Sequence, residues 1–321
     1  MKPVGIALVG AGPWGLTLAG AFARVRAAEL RWICEVDASR RDGAASAHPS
    51  VRTTASLEDV LADLGVTAVA VAVDSARHHS VAMRALTANR HVYVEKPLAV
   101  SAVDAAELHA AALAARRLLA VGHLLLHHPA IRRARQIVAQ DALGGGPLHF
   151  ESIRETVGAP RTVGSAWWAL APHDVSLALH LFDATPVTVS ATGGAYMGDG
   201  NDGVASAMLG FADGRTARVR VGRFAGEKTR RVSIAGTTRT LIFDELARER
   251  ALQVLEAGAA APTSIRIDEV DPLLAQCHHF VTHAARADAS GGNGAHGLAV
   301  VRVLEAGARS MREGGGPIDV A

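Results

Sequence analysis

Val4-Gly5-Ile6-Ala7-Leu8-Val9-Gly10-Ala11-Gly12-Pro13-Trp14-Gly15 is the stretch on which the fold turns. Val4 to Val9 is a short apolar run ending in glycines, which reads as a strand buried in a parallel sheet, and Trp14 to Arg26 then follows helical spacing. The turn between them satisfies G-x-G-x-x-G in the setting that gives the pattern meaning, a strand before and a helix after. Gly10 allows the tight turn, Gly12 lets the backbone approach a pyrophosphate, and Gly15 lets helix and strand pack closely. The phosphate charge then meets the helix N-terminus. Gly10, Gly12, Pro13, Trp14 and Gly15 are accordingly candidate dinucleotide-binding residues.

Outward from this turn the alternation continues. Strands are expected at Leu30 to Val36, Ala68 to Val73, His91 to Glu95 and Leu118 to Gly122. Helices are expected near Leu57 to Leu64, His79 to Ala88 and Ala102 to Arg116. Strand and helix in alternation mean right-handed crossovers and a parallel sheet covered on both faces. After Gly122 the pattern changes. A helix at Pro129 to Gln140 and a strand at Leu148 to Arg154 lead into a loop holding Trp167 and Trp168, and Pro172 opens a helix to Phe182. Successive strands follow between Val187 and Phe243, separated by turns such as Asp213-Gly214, and two helices near Pro272 to Ala287 and Leu298 to Arg312 close the chain. The fold class expected is α/β: an N-terminal Rossmann doubly wound parallel sheet in residues 1–122, then a second α+β domain in 123–321 built on an open, mostly antiparallel sheet. The last helices are free to pack back on the first domain.

Composition agrees with two packed domains. The chain has 321 residues, 49% of them hydrophobic and 20% charged, with a formal net charge of +2. Such a balance is globular and argues against a nucleic-acid partner. Cys34 and Cys277 fall in no metal-binding or redox spacing, and adjacent histidines such as His78-His79 diverge on a helix, so no metal is expected. Lys2 followed by an uncharged run to Ala23 has the outline of an export signal, but the run is broken by the glycines that have their own chemistry. The reading is a cytoplasmic protein without a membrane partner.

Asp37, about 20 residues beyond the glycines at the end of the second strand, can accept hydrogen bonds from adenosine ribose hydroxyls and repel a 2′-phosphate. That favours NAD, while Arg40 and Arg41 keep NADP open. Val73, Asp74 and His78, at and just beyond the end of the next strand, are assigned to the cofactor as well. The run from His91 delivers Glu95, Lys96 and Pro97 at a strand's carboxyl end, where ligands bind in open α/β sheets. Lysine occurs only at positions 2, 96 and 228 in a chain whose other cations are arginine. An ammonium beside a cofactor stabilises a developing alkoxide in a way a guanidinium does poorly.

These motifs together resemble the Gfo/Idh/MocA oxidoreductases over almost the whole chain. The resemblance rests on the glycine turn, Asp37, Glu95-Lys96-Pro97, Val121-Gly122-His123, the segment Trp168 to Asp174, and the two C-terminal helices. It implies a catalytic lysine, Lys96, and a catalytic histidine, His173, with hydride transfer between a nicotinamide and a carbinol or carbonyl carbon. The expected substrate is a sugar, nucleotide-linked sugar or cyclitol, and a homodimer or homotetramer is expected. One departure stands out: the acid usual four residues before the histidine is Ala169 here. His123, Arg154, Arg161 and Trp167 are substrate candidates, Arg for an anionic group and Trp for stacking. Two other readings use the same scaffold, reduction of a C=N bond and a dinucleotide-binding regulator without turnover. Net non-redox chemistry on a tightly held NAD is a further one.

Overall fold

In the computed structural model, which describes residues 2–146, 148–157, 164–196, 200–247 and 250–320, the chain divides into two units. The first comprises Met1–Leu124 with Asp271–Val301, and the second Leu125–Val270 with Arg302–Ala321.

In the first unit, β1 (Val4–Val9) leads into α1 (Pro13–Ala23), then β2 (Ala28–Cys34), α2 (Ala38–Ala47), β3 (Arg52–Thr54), α3 (Leu57–Ala62) and β4 (Ala68–Val71). Next come α4 (His78–Thr87), β5 (His91–Val94), α5 (Ala102–Ala115) and β6 (Leu119–Val121). The strands form a six-stranded sheet in the order β3-β2-β1-β4-β5-β6, and every pairing is parallel. This is the dinucleotide-binding order, with the reversal between β1 and β4 opening a crevice at the strands' carboxyl ends. Because both faces are covered, β1, β4 and β5 are buried along their whole length.

Local chemistry sets the helix starts. Pro13 occupies the first turn of α1, Asp37 caps α2 through the amide of Arg40, Ser56 caps α3 and Ser101 caps α5. The helix α2 and the strand β3 were not expected. α2 carries only one buried residue, Ala44, so it has no apolar stripe to read, and β3 is three residues long. Later in the chain α8 (Pro272–Ala285) returns to this unit, packing Cys277, Phe280 and Val281 into a core with Leu18, Phe22 and Tyr93. The rings of Phe22, Tyr93 and Phe280 meet edge to face, with centroids 5.8–6.0 Å apart.

In the second unit α6 (Pro129–Ala139) precedes β7 (His149–Val157), α7 (Ala166–Phe182), β8 (Thr188–Gly194), β9 (Val204–Gly210) and β10 (Thr216–Ala225). Then come β11 (Thr229–Ala235), β12 (Arg239–Asp244), β13 (Leu252–Glu256), β14 (Thr263–Ser264) and, at the end, β15 (Ile318–Asp319). The boundary between the units falls within α9 (Gly294–Arg312). Among the described residues the strands form one nine-stranded sheet, β14-β13-β12-β11-β7-β10-β9-β8-β15. It is antiparallel except where β7 and β10 run side by side, so the expected mostly antiparallel sheet is present. No helix among the described residues is long and apolar enough to cross a membrane.

The start of α7 differs from expectation. Pro172 lies inside the helix, which begins six residues earlier at Ala166 with Ser165 as its cap. A proline there removes one backbone bond. The helix tolerates this because its entry is held from several sides: Asp202 accepts the Trp167 amide at 2.7 Å, Ser165 accepts that of Trp168 at 3.1 Å, and Arg223 donates to the Ser165 carbonyl at 3.3 Å.

Candidate active site

The glycine turn of the first unit has the geometry its motif demands. Gly10 has φ +98°, and a Cβ there would lie 2.6 Å from the Ala72 carbonyl oxygen; at Gly15 it would lie 2.0 Å from that of Gly10. At Gly12, by contrast, a Cβ would meet nothing within 4 Å, so the backbone faces open space. The first bond of the turn into α1 runs from Leu16 N–H to the Gly12 carbonyl, no side chain caps the helix, and no acid stands in its first turn. The unclaimed amides at this N-terminus suit an anion.

A cavity of about 760 Å³ opens above the turn. Gly10, Gly12, Pro13, Asp37, Arg40, Val73 and Asp74 all line it, with Glu35, Arg77 and Arg84. Its size, the open backbone at Gly12 and the uncapped helix fit a dinucleotide. Asp37 accepts the Arg40 amide at 2.8 Å while staying exposed to the cavity. Arg41 instead turns back onto the main chain, donating to the Glu35 carbonyl at 2.8 Å. Glu35 is a residue that the sequence reading missed. It is 7% exposed, and its two carboxylate oxygens accept the amides of Ala11 at 2.7 Å and Asp37 at 3.0 Å. The signal available was an acid two positions before Asp37.

Glu95 follows directly on β5 and is buried. Its carboxylate accepts from the Tyr93 hydroxyl at 2.9 Å and from the Lys96 amide at 3.3 Å. Gln276 on α8 donates to Tyr93 from behind. Burial pushes the Glu95 carboxyl up from the usual range, against these donors and the Lys96 charge. Thus one carboxylate joins the Tyr93 hydroxyl of β5 to the backbone of Lys96, whose peptide bond to Pro97 is cis.

His78 does not face the cavity. It is 1% exposed, with Nδ1 2.7 Å from the Pro97 carbonyl and Nε2 3.0 Å from that of Val73, so it clips the β4–α4 turn to the turn after Lys96. Burial, with the Lys96 charge, pulls its pKa below the usual histidine range. His123 is likewise buried, edge to face with His296 at 5.4 Å.

In the second unit His173 is part-exposed on α7, one turn after Ala169 on the same side. Two substrate candidates are buried and committed to partners within the unit. Trp167 is fully buried and its indole N–H donates to the Leu304 carbonyl at 2.8 Å. It opens the buried face of a helix instead of lying in a loop. Arg154 is 4% exposed and commits its guanidinium to Asp174 at 2.7 and 3.3 Å and to Glu245 at 3.0 Å. Alternation along β7 points it inward, beneath α7. Arg161 lies outside the described residues.

Residues 4–123 match the profile of an oxidoreductase family with an NAD-binding Rossmann fold, and residues 131–242 match the Gfo/Idh/MocA C-terminal domain. UDP-N-acetylglucosamine 3-dehydrogenase of Acidithiobacillus ferrooxidans is 31% identical over 67% of this chain and 66% of its own, just under two thirds of its length. Its solved structure superposes over 98% of this chain and 99% of its own with a TM-score of 0.87 at 26% identity. 1,5-Anhydro-D-fructose reductase of Ensifer adhaerens is 25% identical over 94% of this chain and 99% of its own. A levoglucosan dehydrogenase solved with NADH and levoglucosan has the same fold, with a TM-score of 0.89 at 18% identity over 99% of this chain and 100% of its own.

Proposed function

The chain belongs to the Gfo/Idh/MocA oxidoreductases, NAD(P)-dependent dehydrogenases and reductases, and from that premise we propose that it interconverts a carbinol and a carbonyl on a sugar, nucleotide-linked sugar or cyclitol. The relatives named for UDP-N-acetylglucosamine and 1,5-anhydro-D-fructose support this substrate class. The observation that carries the reading is the cavity of about 760 Å³ over the glycine turn, lined by the open backbone of Gly12 and by Asp37, in the same parallel sheet whose strand β5 leads into Lys96. Gly10 and Gly15 shape the turn, Gly12 brings its backbone to the pyrophosphate with Pro13 and Trp14 beside it, and Asp37 holds the adenosine ribose and favours NAD over NADP. His78 and Glu95 brace the Lys96 turn. A bound nicotinamide supplies the hydride acceptor or donor. Lys96 stabilises negative charge on the reacting oxygen, and the His173 imidazole takes or returns the hydroxyl proton. This division assigns the dinucleotide to residues 1–122 and the substrate to 123–321. A homodimer or homotetramer in the cytoplasm completes the reading.

Ala169 favours a second reading. With no acid one turn before His173, a substrate lacking the usual hydroxyl is accommodated, which suits reduction of an imine. A panel of keto sugars, nucleotide-linked sugars, cyclitols and cyclic imines, each with NAD(H) and NADP(H), separates the two. Turnover of the carbinols is expected, falling about a hundredfold or more in Lys96→Met and in His173→Ala, while dinucleotide binding followed by fluorescence is kept. Turnover of imines alone would replace the first reading with the second. Dinucleotide binding without hydride transfer from any substrate would make the protein a sensor.

A further inference from the structure

We propose a divalent-cation site on the first unit formed by His79 in the first turn of α4 and by Asp104 and Glu107 on α5. The three donor atoms lie within 4.8 Å of one another. Asp104 and Glu107 are three residues apart on a helix and so share a face, and the packing of α4 on α5 brings the imidazole to them.

The contact between His79 and Glu107 is what lifts this group above a cluster of acids. Nε2 of His79 stands 2.9 Å from Oε2 of Glu107, yet that nitrogen is buried and makes no hydrogen bond. The two atoms are close without being aligned. Donors that converge on a common ion at bond lengths of about 2.0–2.2 Å are held about 3 Å apart when adjacent, without pointing at each other. Charge argues the same way: two carboxylates in such proximity repel, and a divalent ion compensates both.

One imidazole nitrogen with two carboxylate oxygens is a borderline donor set, which suits Zn²⁺ or Mn²⁺ better than Mg²⁺ or Ca²⁺. Glu107 is exposed and Asp104 and His79 partly so, leaving room for water on the remaining positions. The ion would pin the first turn of α4 to α5. That turn follows directly on Asp74 and Arg77, which line the dinucleotide cavity. The site is hidden in the sequence because its histidine and its acids are far apart along the chain, and because the neighbouring His78 is spent on Pro97 and Val73.

The test uses the full chain, free of any affinity tag and stripped with EDTA. Isothermal titration with Zn²⁺, Mn²⁺, Mg²⁺ and Ca²⁺ is run beside thermal melts, with wild type and the single variants His79→Gln and Glu107→Gln. One equivalent of Zn²⁺ or Mn²⁺ is expected to bind and raise the melting temperature, with both variants melting like wild type in EDTA and losing about tenfold or more in affinity. No saturable binding to wild type would overturn the proposal. Undiminished binding in both variants would overturn it too, by assigning the ion to other residues.

Discussion

At the end of β2 the Glu35 carboxylate spends both oxygens on backbone amides, Ala11 in the glycine turn and Asp37 beyond the strand. Asp37 spends only one oxygen, on the first turn of α2. The first acid therefore braces the turn, and the second is the one with capacity left for a ribose. Replacing Glu35 with Gln sets an amide donor against either the buried Ala11 N–H or the part-buried Asp37 N–H, a loss of about 1–3 kcal/mol. Urea unfolding is expected to record that loss, and dinucleotide titration a matching loss of affinity for NAD and NADP alike. Asp37→Ala costs about 1 kcal/mol through the lost cap, weakens NAD and relatively favours NADP. Equal behaviour of the two variants would erase the distinction. Asp37 was legible in the sequence because its distance from the glycines is a known chemical spacing. Glu35 was not, because its bond to Ala11 bridges 24 residues and leaves no local pattern.

At the scale of elements, α7 shows where the sequence misleads. Pro172 looked like a helix start because proline is tolerated best in a first turn. The true start is set by Ser165, Asp202 and Arg223, of which only the first is adjacent in sequence. The same helix carries Asp174 into a buried cluster with Arg154 of β7, Glu245 beyond β12 and Arg230 of β11. Burial works against the Arg154 charge, but Asp174 and Glu245 outweigh it and keep the guanidinium ionised. Arg154→Met leaves the buried Asp174 without its partner, and a loss of about 3–5 kcal/mol in urea unfolding is expected. The double change Arg154→Met with Asp174→Leu removes both charges and should recover much of it. If the single change proved as mild as an exposed-surface substitution, the cluster would not be what holds α7 to the sheet.

Across the whole molecule, the first unit was readable because a parallel sheet with both faces covered writes itself as apolar runs alternating with helices. The second unit was readable strand by strand between β8 and β12, but β13, β14 and β15 are short or polar, and no local pattern announces that β7 pairs in parallel with β10. Acid stability is a property of the same global scale. His91 opens β5, is 4% exposed, and its Nδ1 accepts the Leu118 amide at 3.1 Å, joining β5 to the start of β6. Burial, then the Arg117 charge, lowers its pKa to about 4. The unfolded chain, with histidine near about 6.5, takes up the proton first as pH falls. The stabilisation from neutral His91 is thus complete above about pH 6.5, declines towards about pH 4, and is gone below. His78 and His128 shift in the same direction, so wild type is expected to lose stability between about pH 7 and about pH 5, before most carboxylates titrate. His91→Asn places an oxygen near the position of Nδ1 and does not titrate. Its urea midpoint should fall less over that interval than the wild-type midpoint, and an identical slope would mean that His91 is not among the groups that set the acid limit.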